Sequence, residues 1–196
     1  MCRLAKYSLL LPLVLILPVK GFGQTDNQSR YTINLGLGIE KVGIPFRRVI
    51  DFPMHSSYHL GVSRKWSKLS DKPGFQDLVL NVFTNTSAGS GYMLHTAYGV
   101  RVKILKNLYL SPSAGIGLIH LFRPKESFTL NNGIYQLSAD QGHLFPEASM
   151  SLTLVYQRNK IGLFGSYQMG VQTGYNDDIK VLPRTFLTIG VMYAIL

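Results

Sequence analysis

From Tyr31 to Glu40 the chain reads YTINLGLGIE, with Tyr, Ile, Leu, Leu and Ile on odd positions and Thr, Asn, Gly, Gly and Glu on even ones. A two-residue period is that of a β-strand, whose successive side chains leave on opposite faces. The pattern recurs. Tyr58, Leu60 and Val62 alternate with His59, Gly61 and Ser63, and Leu78, Leu80 and Val82 alternate with Val79, Asn81 and Phe83. Tyr92–Ile104 carries Tyr92, Leu94, Thr96, Tyr98, Val100, Val102 and Ile104 on one face, with Met93, His95, Ala97, Gly99, Arg101 and Lys103 on the other. Similar runs follow at Leu108–Leu118, Glu147–Gln157, Ile161–Val171 and Leu187–Ile195. The chain thus predicts eight strands and no amphipathic helix.

The connections are of two kinds. Lys106-Asn107 and Arg158-Asn159 are tight turns, and Ser67–Gln76 is somewhat longer, with the breaker pair Pro73-Gly74. The alternate connections are Lys41–His55, Asn85–Gly91, His120–Gly142 and Thr173–Arg184, and all but the second are long and polar. Short turns on one rim and long loops on the other characterise an up-and-down barrel in an outer membrane.

Alternation alone also suits a soluble antiparallel sandwich. Three further features favour lipid. The Tyr92–Ile104 run is 13 residues long, above the usual strand length and sufficient to cross a bilayer at a tilt. Tyr31, Trp66, Tyr156 and Tyr193 fall on the apolar face near the short turns, with Tyr58 and Tyr92 near the loops, as two interfacial girdles require. The opposite face is rich in Gly, Ser, Asn, Lys and Arg, which suits a narrow polar lumen and not a core. Hydrocarbon cannot satisfy a bare strand edge, so such a sheet must close on itself. The expected fold is all-β: an eight-stranded antiparallel up-and-down transmembrane barrel over residues 24–196.

The start of the chain has its own pattern. In residues 1–23, Arg3 and Lys6 precede the apolar run Leu9–Val19, and Gly21 and Gly23 stand where a signal peptidase reads. That reads as a signal peptide cut before Gln24, since the run is too short for a spanning helix. Of the net charge of +10, removal of Arg3, Lys6 and Lys20 leaves 17 Lys and Arg against 10 Asp and Glu, or +7. Removal also takes Cys2, the only cysteine, so the mature chain has no disulfide framework and no cysteine metal site. With 46% hydrophobic and 15% charged residues the chain is not a disordered tail.

With this strand count, these girdles and this rim asymmetry, residues 30–196 resemble the OmpA/OmpX-like superfamily and the broad "outer membrane protein beta-barrel domain" family. The resemblance implies the barrel, residence in the outer membrane among lipid and lipopolysaccharide, and delivery by the barrel-insertion machinery. Such barrels usually end on an aromatic residue, whereas this chain ends Tyr193-Ala194-Ile195-Leu196.

Candidate chemistry is sparse. Gly36-Leu37-Gly38 lacks the spacing and following helix of a dinucleotide loop, and no cofactor or metal is implied. His55-Ser56-Ser57 contains the His-x-Ser of outer-membrane lipid A deacylases, but at the second strand and without an acidic residue at comparable spacing. His59, His95, Arg101, Lys103 and Glu147 share the inward face. Buried charge must be paired, so Glu147 is expected to brace Arg101 or Lys103. Arg47, Arg48, Arg123, Lys125, Lys180 and Arg184 fall in the loops, where Arg suits lipopolysaccharide phosphates. These basics form no aromatic-interleaved stripe, so nucleic acid is not a partner. The sequence therefore reads as a non-catalytic barrel, structural or engaging an unidentified surface partner through its loops. A lipid A deacylase or acyltransferase and a narrow pore are the alternatives.

Overall fold

The computed structural model describes residues 31–43, 55–65, 74–86, 88–122, 127–131, 134–138, 142–174 and 180–195. Its strands are β1 (Tyr31–Val42), β2 (His55–Lys65), β3 (Gly74–Phe83), β4 (Ser90–Val100), β5 (Val102–Leu105), β6 (Leu108–Phe122), β7 (Ser127–Asn131), β8 (Ile134–Ser138), β9 (His143–Arg158), β10 (Ile161–Thr173) and β11 (Val181–Ile195). β5 continues β4 past Arg101, and both pair with β6. Pro112 lies on β6 beside this break and has no N–H to give the ladder. β7 and β8 form a separate hairpin.

The other strands close. In the order β4-β3-β2-β1-β11-β10-β9-β6, each pairs with its neighbour and β6 pairs again with β4. Counting β4 and β5 as one, this is an eight-stranded antiparallel barrel. Its stagger can be followed through the register. Lys103 opposes Tyr109, then Val155, Phe164, Gly190, Gly36, His59, Asn81 and finally Met93. One circuit therefore returns to the same strand 10 residues from its start, a shear that tilts the strands across the barrel axis. The two tightest turns rest on Asn107 and Asn159, at φ of 67° and 57°. Asn tolerates this left-handed region better than other non-glycine residues.

The faces separate as the alternation predicts. Leu35, Leu37, Leu60, Met150, Leu152, Leu163, Ile189 and Val191 point outward and are exposed, Ile189 by 69%. Thr32, Asn34, Ser57, Asn81, His95, Ser111, Gln168 and Thr188 point inward and are buried. Gly36 and Gly190 face each other across β1 and β11. A methyl on Gly190 would strike the Leu35 carbonyl oxygen, the Phe164 ring and Gly36 Cα. Gly190→Ala should therefore lower stability by about 1–3 kcal/mol through overpacking. Gly165→Ala, which meets nothing, should not. Urea midpoints of the two variants check this, and equal shifts would show that the Gly36–Gly190 contact is not limiting.

Candidate functional site

The site is the lumen, which changes character along the axis. At the long-loop end, Phe83, Met93, Ile119, Leu121, Phe145 and Phe186 form one apolar cluster, none more than 8% exposed. They reach it from β3, β4, β6, β9 and β11, so they fill the bore. Beside them sits an ion pair. Arg184 Nη1 donates to Glu40 Oε1 at 2.6 Å, with both residues 1% exposed. Asn85 Nδ2 donates to the other Glu40 oxygen at 2.6 Å, and Arg184 Nε donates to Gln172 Oε1 at 3.0 Å. The guanidinium also lies 5.0 Å from the Phe83 ring centroid. Both Glu40 oxygens are thus met by donors, which is what allows so dry a pair to persist.

The middle is polar and mostly uncharged. His59 Nδ1 meets Asn81 Oδ1 at 2.9 Å, and Ser113 and Ser151 share a hydroxyl contact at 2.7 Å. His95 lies in the same layer, 5% exposed, with no hydrogen bond to its Nδ1. At the short-turn end, Arg101 is packed between Phe75 and Tyr109, 5.8 and 6.0 Å from their centroids. Its Nη1 donates to Gln157 at 3.4 Å. The carboxylate whose charge reaches it is Asp77, on β3.

Three expectations are therefore corrected. Glu147 does not brace Arg101. Arg101 binds Gln157, 10 residues from Glu147 along β9, or roughly 33 Å of strand. No two side chains span that. Lys103 points to the same face but lies past the Arg101 break, at the open turn rim, and is exposed. Arg184 belongs to no loop, because β11 begins at Val181 and places it inside. Glu40 and Asp77 are further carboxylates within the strands. Glu147 itself is 4% exposed and leans over Gly170. No hydrogen bond of ordinary geometry reaches either of its oxygens, although Ser149 offers a hydroxyl from the same strand.

Outside, Tyr31, Tyr58, Tyr92, Tyr156 and Tyr193 are between 43% and 55% exposed on the apolar face. Lys180 is exposed. Trp66, Arg47, Arg48, Arg123 and Lys125 lie outside the described residues. His55 and Ser57 both point inward, with Ser57 buried, while Ser56 points outward and shares a hydroxyl contact with Thr84 at 2.8 Å. The His-x-Ser pair thus faces the lumen and not lipid. His120 does face outward at the loop rim, but it is stacked on Tyr92 at 4.9 Å and packed edge-on against Phe122 at 4.7 Å. No hydroxyl or carboxylate binds its Nδ1. Among the described residues no group of three or more His, Cys, Asp or Glu could hold a metal.

What alternation alone did not reveal was Glu40 and Arg184 as a pair. Both carry the inward parity of their strands, and that parity was the available signal.

No family model and no curated protein matches the chain. Solved structures do. Neisserial surface protein A superposes with a TM-score of 0.52 at 10% identity, over 87% of this chain and 100% of its own. The N-terminal β-barrel domain of Pseudomonas aeruginosa OprF gives 0.50 at 12% identity, over 86% and 100%. The outer membrane enzyme PagL gives 0.49 at 13% identity, over 84% and 99%, too loose a likeness to bear on activity. At such identities the likeness concerns fold alone: this chain has the fold of the small eight-stranded outer-membrane β-barrels.

Proposed function

We propose that this protein is an integral outer-membrane barrel that neither catalyses nor conducts, and acts as envelope structure or as a surface-binding protein through its loops. Export through the segment before Gln24 and delivery by the barrel-insertion machinery belong to this reading. So does residence among outer-membrane lipid and lipopolysaccharide, with the outward tyrosines at the two interfaces. Arg47, Arg48, Arg123, Lys125 and Lys180 are the basic residues proposed to meet lipopolysaccharide phosphates. Arg184 is withdrawn from that set.

One observation carries the reading: the bore is filled at its loop end by six apolar residues while the outer surface is apolar. A filled bore supports the absence of conduction, and an apolar exterior on which the described residues form no hydrogen-bonded Ser–His pair supports the absence of lipid chemistry. The test is incubation of the purified barrel in liposomes containing lipopolysaccharide, followed by mass spectrometry of lipid A. An unchanged set of species is expected. A deacylated or newly acylated product would overturn the non-catalytic reading.

A further inference from the structure

The charge of this chain is not spread evenly along the barrel axis. From residue 24 onward, every Lys, Arg, Asp and Glu falls toward one end or the other. Residues 24–30, 64–77, 101–106 and 157–160 belong to the turn end, where ten Lys and Arg stand against three Asp. Residues 40–55, 120–147 and 172–184 belong to the loop end, where seven Lys and Arg stand against seven Asp and Glu. The whole +7 of the mature chain therefore lies on the side of the short turns.

The structure leaves that charge open. Lys103, Lys106, Arg158 and Lys160 are exposed, and among the described residues none of them forms an ion pair. Asp77, which among the described residues is the carboxylate of this end, lines the lumen, where its charge reaches Arg101. The cations also stand at the edge of the apolar belt. Arg158 follows the exposed Tyr156 on the outward face of β9 and opposes Ile161 across the turn. The Ala194 N–H donates to the Lys160 carbonyl at 2.8 Å, which fixes that turn against the end of β11 beside Tyr193. Further round the rim Arg64 opposes Tyr31. Interfacial tyrosines mark the level of lipid headgroups, and Lys and Arg beside them reach that level on their apolar stems.

We propose that the turn rim is a docking collar for anionic phospholipid, whose phosphodiester charge no ammonium group cancels. Zwitterionic lipid brings its own cation to the same phosphate and gains little from the rim. A soluble polyanion approaches from beyond the turns and misses Arg64 and Arg158 on the outward face. The collar presupposes the barrel in a bilayer, as proposed above. To test it, the mature protein is refolded into phosphatidylcholine bilayers with trace spin-labelled phosphatidylglycerol or phosphatidylcholine, and the fraction of label immobilised at the barrel is read. Phosphatidylglycerol should be favoured about five-fold, as one cation gains at an anionic lipid surface. Salt at about 1 M should erase most of the difference. Replacing Lys106, Arg158 and Lys160 together by Gln should bring the two lipids level, while Lys180→Gln at the loop end should not. Equal immobilisation of both lipids by the wild type would overturn the collar and leave the barrel in its membrane. No immobilised label of either kind would take the membrane reading with it. Retention of the barrel, held in zwitterionic nanodiscs, on isolated cell walls, with its loss in the triple variant, would assign the rim to the wall polymer instead.

Discussion

Replacing Arg184 with Met should lower the stability of the folded barrel by about 3–5 kcal/mol, because it strands Glu40 as a charge in a dry site. Glu40 is 1% exposed and, among the described residues, would keep only the amide of Asn85. The pair also joins β1 to β11, the first and last strands of the closed sheet. Glu40→Gln in the Arg184→Met background should recover part of the loss, since neither charge then remains. Glu147→Gln offers the contrast. Among the described residues that carboxylate has no charged partner to strand, so its neutralisation should leave stability unchanged or raise it. Unfolding in bilayers, followed by heat-modifiable gel mobility, measures the wild type, Arg184→Met, Glu40→Gln, their double variant and Glu147→Gln. Additive effects at Glu40 and Arg184 would remove the pair as a source of stability. A loss at Glu147 as large as that at Arg184 would restore a partner to Glu147.

The error about Glu147 and Arg101 shows what alternation can and cannot convey. A two-residue period assigns every side chain to a face, and the faces of Asn34, His95, Glu147 and Ile189 were all legible in it. It carries no height. Two inward residues meet only if the shear brings them to one level, and a stagger of 10 residues per circuit put Glu147 near the loop rim and Arg101 near the turns. Height needs the register of every strand pair, and that is a tertiary property.

Arg184 was misread for a local reason. Clear alternation begins only at Leu187, which makes Thr173–Arg184 read as a polar loop. In the structure Pro183 opposes Val171 on β10, whereas the β1 ladder ends at Arg184. A proline is tolerated at the end of a ladder: the Pro183 carbonyl accepts the Gly43 N–H at 3.1 Å while the missing proline N–H falls where the β1 ladder stops, so β11 runs on through it to Val181. The inward parity of Arg184 with Phe186 and Thr188 was visible all along. Trp66 and the basic residues at 47, 48, 123 and 125 lie outside the described residues and remain readings of the sequence.

The outward face yields the second large effect. Arg in place of Leu152 or Ile189 should cost about 2–4 kcal/mol in a bilayer, since a guanidinium at mid-depth must be dragged from water into hydrocarbon. Both residues are outward and exposed, at 49% and 69%, so steric crowding does not confuse the reading. Leu80 and Val100 share that face, and Arg there should also be unfavourable. Ile161 is the control, because it follows the Arg158–Lys160 turn and is 63% exposed on the same face. Near an interface the cost of Arg falls to about 0–1 kcal/mol. Depth, then, is the variable. In water the three sites are equivalent exposed surface and Arg should cost little at any of them. In lipid, Leu152→Arg and Ile189→Arg should separate clearly from Ile161→Arg in the free energy of unfolding from vesicles. Equal costs at all three would mean that no low-dielectric slab surrounds the barrel, and the apolar belt would then need a different occupant.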